Sequence, residues 1–250
     1  MPIKINAAVI SNKGLWKTHN EDNFIFDRKI LEDVNNEVSL KTRATCNIAV
    51  MGVFDGMGGE PGNETAASIA AKTFRDIDNL TFEGIDKNIY FANDKICEYM
   101  SEHKTSRMGT TMALLYVNEK NVVTVNIGDS RIYKYESGKL VQLSHDHSTI
   151  RADNQKVELT QYLGIYPKEM KIEPYGIIGK TRKCRYLVCS NGLTDMVEDS
   201  EIKKIMKGKI GDIPTNLMKK ALENGGKDSV TILVVEVSTD KGFFARLFGK

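Results

Sequence analysis

Residues 112–143 read MALLYVNEKNVVTVNIGDSRIYKYESGKLVQL, and their apolar residues recur with a period of two. Segments 112–117, 122–127, 131–135 and 140–143 are therefore expected as four strands of one antiparallel meander. Their connections, Asn118-Glu119-Lys120-Asn121 and Glu136-Ser137-Gly138-Lys139, have hairpin turn chemistry. Consecutive hairpins exclude a doubly wound parallel sheet here. Upstream the period lengthens. Ala66, Ile69, Ala70, Thr73, Phe74 and Ile77 share one face of a helix expected over 63–78, and Ile85, Ile89, Ala92, Ile96 and Met100 share one over 85–103. Residues 44–54 are apolar almost continuously and predict one buried strand. Further strands are expected over 186–190 and 230–237, with a short helix after Ser200 and another from Thr215 closed by Gly225. The class is α+β, antiparallel sheets packed with helices.

Apolar residues make up 41% and charged residues 27% of the 250, a globular balance that excludes wholesale disorder. A chain of this size buries about three quarters of its unfolded surface, so it needs no staples. Five prolines and no low-complexity tract leave no linker. One domain is expected over 1–240, followed by an aromatic and basic tail, 241–250, that packs locally or frays. The longest apolar runs, 48–54 and 231–237, fall well short of the roughly 18 residues that span a bilayer. Lys and Arg number 35 against 33 Asp and Glu, with no basic block, which offers nucleic acid no footprint. The N-terminus lacks the apolar core of a signal peptide. Cys46, Cys97, Cys184 and Cys189 form no Cys-x-x-Cys pair and read as reduced thiols of a cytoplasmic protein, Cys189 as core packing.

Acidic groups recur where apolar strands end. Residues 50–54 run into Asp55-Gly56, 122–127 into Gly128-Asp129, and 186–190 into Asn191-Gly192 with Asp195 one turn on; Asp228 precedes 230–237. Each alone reads as a surface turn. If the ends converge, they form an oxygen-rich cage for a hard divalent cation such as Mg²⁺ or Mn²⁺. Glu21 and Asp22 add two acids ahead of Phe24-Ile25-Phe26. The glycine-rich stretch 56–62 precedes a helix and could cradle phosphate, but it lacks the Gly-Lys-Ser/Thr ending of a P-loop. Its other use is to let the backbone turn around Asp55 and offer the Gly56 carbonyl. His145-Asp146-His147 has no zinc spacing and reads as structural. No Gly-x-Ser-x-Gly elbow is present.

In order along the chain, Lys17-Thr18-His19-Asn20-Glu21-Asp22, Val53-Phe54-Asp55-Gly56-Met57-Gly58-Gly59, Met108-Gly109-Thr110-Thr111, Gly128-Asp129-Ser130-Arg131, Asp146-His147-Ser148, Leu159-Thr160-Gln161-Tyr162-Leu163-Gly164, Cys189-Ser190-Asn191-Gly192-Leu193-Thr194-Asp195 and Asp228-Ser229-Val230-Thr231 resemble the metal-dependent serine/threonine protein phosphatases of type 2C, particularly bacterial members. The resemblance spans about residues 6 to 237. It implies a four-layer α-β-β-α sandwich, two antiparallel sheets flanked by helices, with a metal centre at one edge. It also implies hydrolysis of phosphoserine and phosphothreonine in proteins by a water activated between two divalent cations, Mn²⁺ or Mg²⁺. By the same resemblance Asp55 bridges both ions, the Gly56 carbonyl binds one, and Asn191 and Asp228 hold the other. Glu21 and Asp22 bind metal-ligated waters, Lys17 meets the phosphate, and Asp129 and Asp195 hold a third, weaker ion. The implied partner is a phosphorylated protein, a serine/threonine kinase or one of its targets.

Three positions depart from the family's pattern. Asn191 stands where Asp is usual, keeping a carbonyl oxygen but losing the charge. Lys17 replaces Arg, exchanging a bidentate fork for a point charge. Only ten residues separate Ser148 from Leu159, a shortened flap segment. A rival expectation follows, a phosphoprotein-binding or regulatory domain on the same fold whose turnover was lost through Asn191 and Lys17. A nucleotide-binding reading of the glycine-rich loop lacks the Lys-Ser/Thr it requires.

Overall fold

Along β1 (Ile3–Asn12), Ile3, Ile5, Ala7 and Val9 turn to one side and Ala8 and Ile10 to the other, and all six are buried. A strand apolar on both faces must lie between two layers. In the computed structural model, which describes residues 2–58, 63–75, 81, 84–105, 107–150 and 157–239, it does. β1 pairs antiparallel with β14 (Val230–Thr239) along its whole length, from Ile3 opposite Thr239 to Asn12 opposite Val230. Their sheet runs β3 (Val38–Cys46), β1, β14, β13 (Cys184–Cys189), β8 (Arg131–Glu136), β9 (Lys139–Gln142). The second runs β12 (Tyr175–Lys180), β7 (Asn121–Ile127), β6 (Met112–Asn118), β4 (Ile48–Gly58), β2 (Asp22–Ile25), with β5 (Met108–Thr110) on the end of β4.

The inner faces meet through Val9, Val53, Leu115, Val188 and Leu233. α1 (Asn63–Arg75) and α2 (Gly84–His103) cover the outer face of the second sheet through Ala70, Phe74, Ile89 and Ile96, packed on Phe54 and Leu114. α3 (Asn191–Thr194), α4 (Asp199–Ile205) and α5 (Ile213–Glu223) cover the first through Leu193, Ile202 and Leu217. The layers are α-β-β-α, as the resemblance implies. β10 (Ser148–Ile150) and β11 (Val157–Leu159) form a separate two-stranded ribbon in the shortened flap segment.

Two expectations are corrected. The four-strand meander is two hairpins in different sheets: β6–β7 belong to one and β8–β9 to the other, and the chain crosses at Gly128-Asp129-Ser130. Period two is the same on either side of such a crossing, so the pattern alone does not reveal it. Residues 44–54 likewise are not one strand; the chain bends at Asn47 and passes from β3 to β4 in the opposite sheet. The helix expected over 63–78 runs Asn63–Arg75, its last three positions lying outside the described residues, as do 59–62 of the glycine-rich stretch and the whole of the 241–250 tail.

The crossings and registers bring the acids together. Asp22 lies directly opposite Asp55. Arg131 pairs with Cys189, and Cys189 with Ile232, so Asp129, Asn191 and Asp228 each fall a few residues beyond paired strand ends at one level.

Candidate metal centre

At that end of the sandwich a cleft of about 760 Å³ is lined by Lys17, Glu21, Asp55, Gly56, Asp129, Asn191, Asp195 and Asp228. Asp22 lies beneath it, 1% exposed. All nine residues singled out from the sequence thus gather at one place. Thr111 and Glu158 also line the cleft, Glu158 from the short flap ribbon.

Asp22 Oδ1, Asp55 Oδ2, Asp129 Oδ1 and Asn191 Oδ1 are all buried without a hydrogen-bond partner. A buried carboxylate oxygen left unpaired costs several kcal/mol, and three in one site beside an unpaired amide oxygen amount to a demand for positive charge. Each donor is a hard oxygen, the chemistry that suits Mg²⁺ or Mn²⁺ rather than zinc. Among the described residues no three Asp, Glu, His or Cys side chains close on one point by themselves. Lys17 Nζ lies 2.5 Å from Glu21 Oε2 and 3.1 Å from Asp228 Oδ1, and Asn191 Nδ2 donates to Asp129 Oδ2 at 3.3 Å.

Beneath the acids runs a fully buried polar network. Asn20 Nδ2 donates to Ser11 Oγ at 2.8 Å, Ser11 Oγ and Thr231 Oγ1 are 2.7 Å apart, and Thr231 N–H donates to Ser190 Oγ at 2.9 Å. Ser190 Oγ in turn donates to Asp22 Oδ2 at 2.7 Å, and Glu21 N–H donates to Ser229 Oγ at 2.9 Å. Ser190→Ala would leave Asp22 without that donor and is expected to cost about 1–3 kcal/mol. Chemical unfolding of the metal-free protein measures it; an unchanged midpoint would show that water replaces the hydroxyl.

The Asp129 turn is clamped from the side. Gly128 (φ +92°) donates its N–H to His147 Nδ1 at 3.1 Å, and the Arg131 guanidinium grips Asp146 through Nη2 at 2.6 Å and Nε at 2.9 Å. His145-Asp146-His147 is therefore structural. Thr111 Oγ1 lies 2.6 Å from Ser130 Oγ, and the Thr111 N–H donates to the Asp55 carbonyl at 2.8 Å, tying β4 to the same turn. Gly192 packs so closely that a Cβ there would meet the Ser229 carbonyl at 2.0 Å. Gly192→Ala is expected to cost at least about 1–3 kcal/mol and to shift the adjoining Asn191. A melting temperature equal to that of the wild type would contradict the contact.

Burial, followed by the Asp228 and Glu21 charges, pushes the Asp22 carboxyl up to about 7 against the donors from Ser190 and Thr231. Burial first, then Asp22, Asp228 and Asp129, hold Asp55 well above the carboxylate range, and burial and Asp195 bring Asp129 up to about 6. Burial alone would lower the Lys17 ammonium, but Glu21 and Asp228 outweigh it and hold it raised. Between pH of about 4 and 7 the folded metal-free protein thus binds more protons than the unfolded chain, so its stability falls as pH rises across that window. Thermal melts in EDTA at stepped pH check this; a melting temperature that climbs over the same window would contradict it.

The comparisons with known proteins agree with this fold. The sequence profile described as protein phosphatase 2C matches residues 37–208, more than half of the chain, and the chain belongs to that family. The serine/threonine phosphatase stp of Listeria monocytogenes is 29% identical over 263 residues, covering 95% of this chain and 98% of that protein. The protein phosphatase PhpP of Streptococcus pneumoniae is 26% identical over 261 residues, covering 94% and 99%. Among solved structures, the catalytic domain of the serine/threonine protein phosphatase PstP, in complex with two manganese ions, matches with a TM-score of 0.77 at 24% identity over 95% of this chain and 100% of that one.

Proposed function

We propose that this chain is a metal-dependent protein phosphatase that hydrolyses phosphoserine and phosphothreonine in proteins. The observation that carries the reading is the set of four buried, unpartnered oxygens gathered at the Lys17 cleft. Asp55, the Gly56 carbonyl, Asn191 and Asp228 would hold two divalent cations, with Asp129 and Asp195 available to a third and Glu21 and Asp22 around them. When bound, such cations lower the pKa of water to make a nucleophile and neutralise phosphoryl charge. Lys17, steered by Glu21 and Asp228, presents its ammonium as a point charge for the phosphoryl oxygens. Ser190 Oγ holds the Asp22 carboxylate, and Thr111 Oγ1, beside Ser130 Oγ, holds the Asp55 backbone.

The donor set accepts Mg²⁺ or Mn²⁺. The neutral Asn191 oxygen favours Mn²⁺, whose affinity for such sites tends to be higher, and PstP was crystallised with manganese. The catalytic unit is one domain over residues 1–240, acting on the products of a serine/threonine kinase. Among the described residues no helix is long and apolar enough to cross a membrane. Four free thiols, with Cys189 pushed up to about 12 by burial, support the reducing cytoplasm. The rival reading, a binding domain without turnover, draws on Asn191 and Lys17; against it, the sequence keeps Asp55, Asp228, Glu21 and Asp22. Phosphate release from a phosphothreonine peptide with Mn²⁺, Mg²⁺ or EDTA tests the proposal. Release with either metal and none in EDTA is expected; silence at millimolar Mn²⁺ would favour the rival.

A further inference from the structure

Leu15 and Trp16 stand 64% and 75% exposed on the turn that leads from β1 to Lys17. Trp16 is the only tryptophan in the chain, and side chains of that size are ordinarily well buried. Single exposed apolar residues need no explanation. This pair differs because its backbone is fixed. Gly14 N–H donates to Asn12 Oδ1 at 2.8 Å, Leu15 N–H to the Gly226 carbonyl at 2.7 Å, and Lys13 Nζ to the Thr18 carbonyl at 3.1 Å. Gly14, at φ +78°, sits where a Cβ would meet the Asp228 carbonyl at 2.1 Å. The turn is thus clamped to the segment that carries Asp228, and it holds two large apolar side chains in water immediately before Lys17.

We infer that Leu15 and Trp16 form a substrate platform at the lip of the cleft, receiving an apolar side chain that lies close in sequence to the phosphorylated residue. The inference rests on the phosphatase reading and narrows its substrate class to phosphoserine or phosphothreonine segments with a bulky aliphatic or aromatic neighbour. The hold of Gly14 and Leu15 on the 226–228 segment, which ends in the cleft residue Asp228, selects this occupant. Lys17, the residue after Trp16, lines the cleft, and an extended peptide advances roughly 3.3 Å per residue, so the apolar side chain is proposed to lie two or three residues from the phosphorylated one. A rigid, preformed aromatic surface also loses little entropy on binding, as residues that dominate interfaces do.

Because Trp16 is the sole tryptophan, its emission reports on the platform alone. The protein with Mg²⁺ is titrated with a peptide that carries the non-hydrolysable phosphonate analogue of phosphothreonine and leucine at the second position on either side. The same peptide with alanine at those positions serves as comparison. The leucine peptide is expected to shift the emission to shorter wavelength and the alanine peptide to shift it less. For the hydrolysable pair, wild type should favour leucine on the order of tenfold in kcat/KM, and Trp16→Ala should lose that preference through KM. Equal preference in wild type and Trp16→Ala overturns the inference, as does an emission that stays fixed while the phosphonate peptide inhibits competitively. Self-association that depends on Trp16 would assign the surface to a second copy of the chain and overturn it as well. Absence of turnover on every phosphopeptide would remove the phosphatase reading, and the platform with it.

Discussion

Asp55→Asn is expected to lower metal-dependent phosphate release by well over ~100-fold while leaving the protein folded. Losing an outer partner of a metal ligand already costs ~10–100-fold, and Asp55 is proposed to contact both ions directly. Its backbone is held independently of its side chain: the Asp55 N–H donates to Thr111 Oγ1 at 3.1 Å, and its carbonyl accepts from Thr110 Oγ1 and the Thr111 N–H. Asparagine has the same shape, so β4 keeps its register opposite Asp22. Without metal the substitution also removes one of several buried like charges. Because burial and then Asp22, Asp228 and Asp129 raise the Asp55 carboxyl, its ionised form destabilises the fold near neutral pH. In EDTA the variant should therefore melt at or above the wild-type temperature. Retained turnover would remove the two-ion proposal, and a collapse in melting temperature would assign Asp55 a structural role.

Asn191→Asp carries the second large effect, in the opposite direction. Asn191 Nδ2 donates to Asp129 Oδ2, and its Oδ1 is left buried and unpartnered. An aspartate there gives the ion a charged ligand, and metal affinity should rise ~10–100-fold. Without metal it exchanges that hydrogen bond for repulsion against Asp129, whose carboxyl is already raised by burial and Asp195. The variant should thus be less stable than wild type in EDTA at neutral pH and gain more on adding Mn²⁺. Melting temperatures across a Mn²⁺ series, beside turnover of one phosphopeptide, read both parts. A wild type already saturated at micromolar Mn²⁺ would show that Asn191 is not the weak ligand proposed here.

Much of the site is legible because its acids and Asn191 sit where apolar strands end or begin, several of them beside glycine. Asp55-Gly56, Gly128-Asp129 and Asn191-Gly192 mark places where a buried strand must end. That those ends share one level is a property of register, which local pattern does not carry. The division of the meander between two sheets was hidden for the same reason: β7 and β8 alternate alike, and only the crossing at Gly128-Asp129-Ser130 separates them. β1 escaped notice because Lys4 and Asn6 break its apolar run, although its neighbours pack on both faces. The hydroxyl network under Asp22 leaves no trace in spacing, since Ser11 and Thr231 meet across 220 residues. Arg131 and Asp146 lie fifteen residues apart in two of the motifs, and their pairing depends on the turn between β9 and β10.

Buried oxygens of Asp22, Asp55, Asp129 and Asn191 are proposed to mark a divalent-cation centre. Equilibrium binding of Mn²⁺ to the purified chain, followed by electron paramagnetic resonance of the free ion, tests it without reference to turnover. At least two Mn²⁺ per wild-type chain are expected, and fewer, more weakly held, for Asp55→Asn. A wild-type chain that leaves all added Mn²⁺ free, or one whose isotherm is unmoved by Asp55→Asn, would contradict the account.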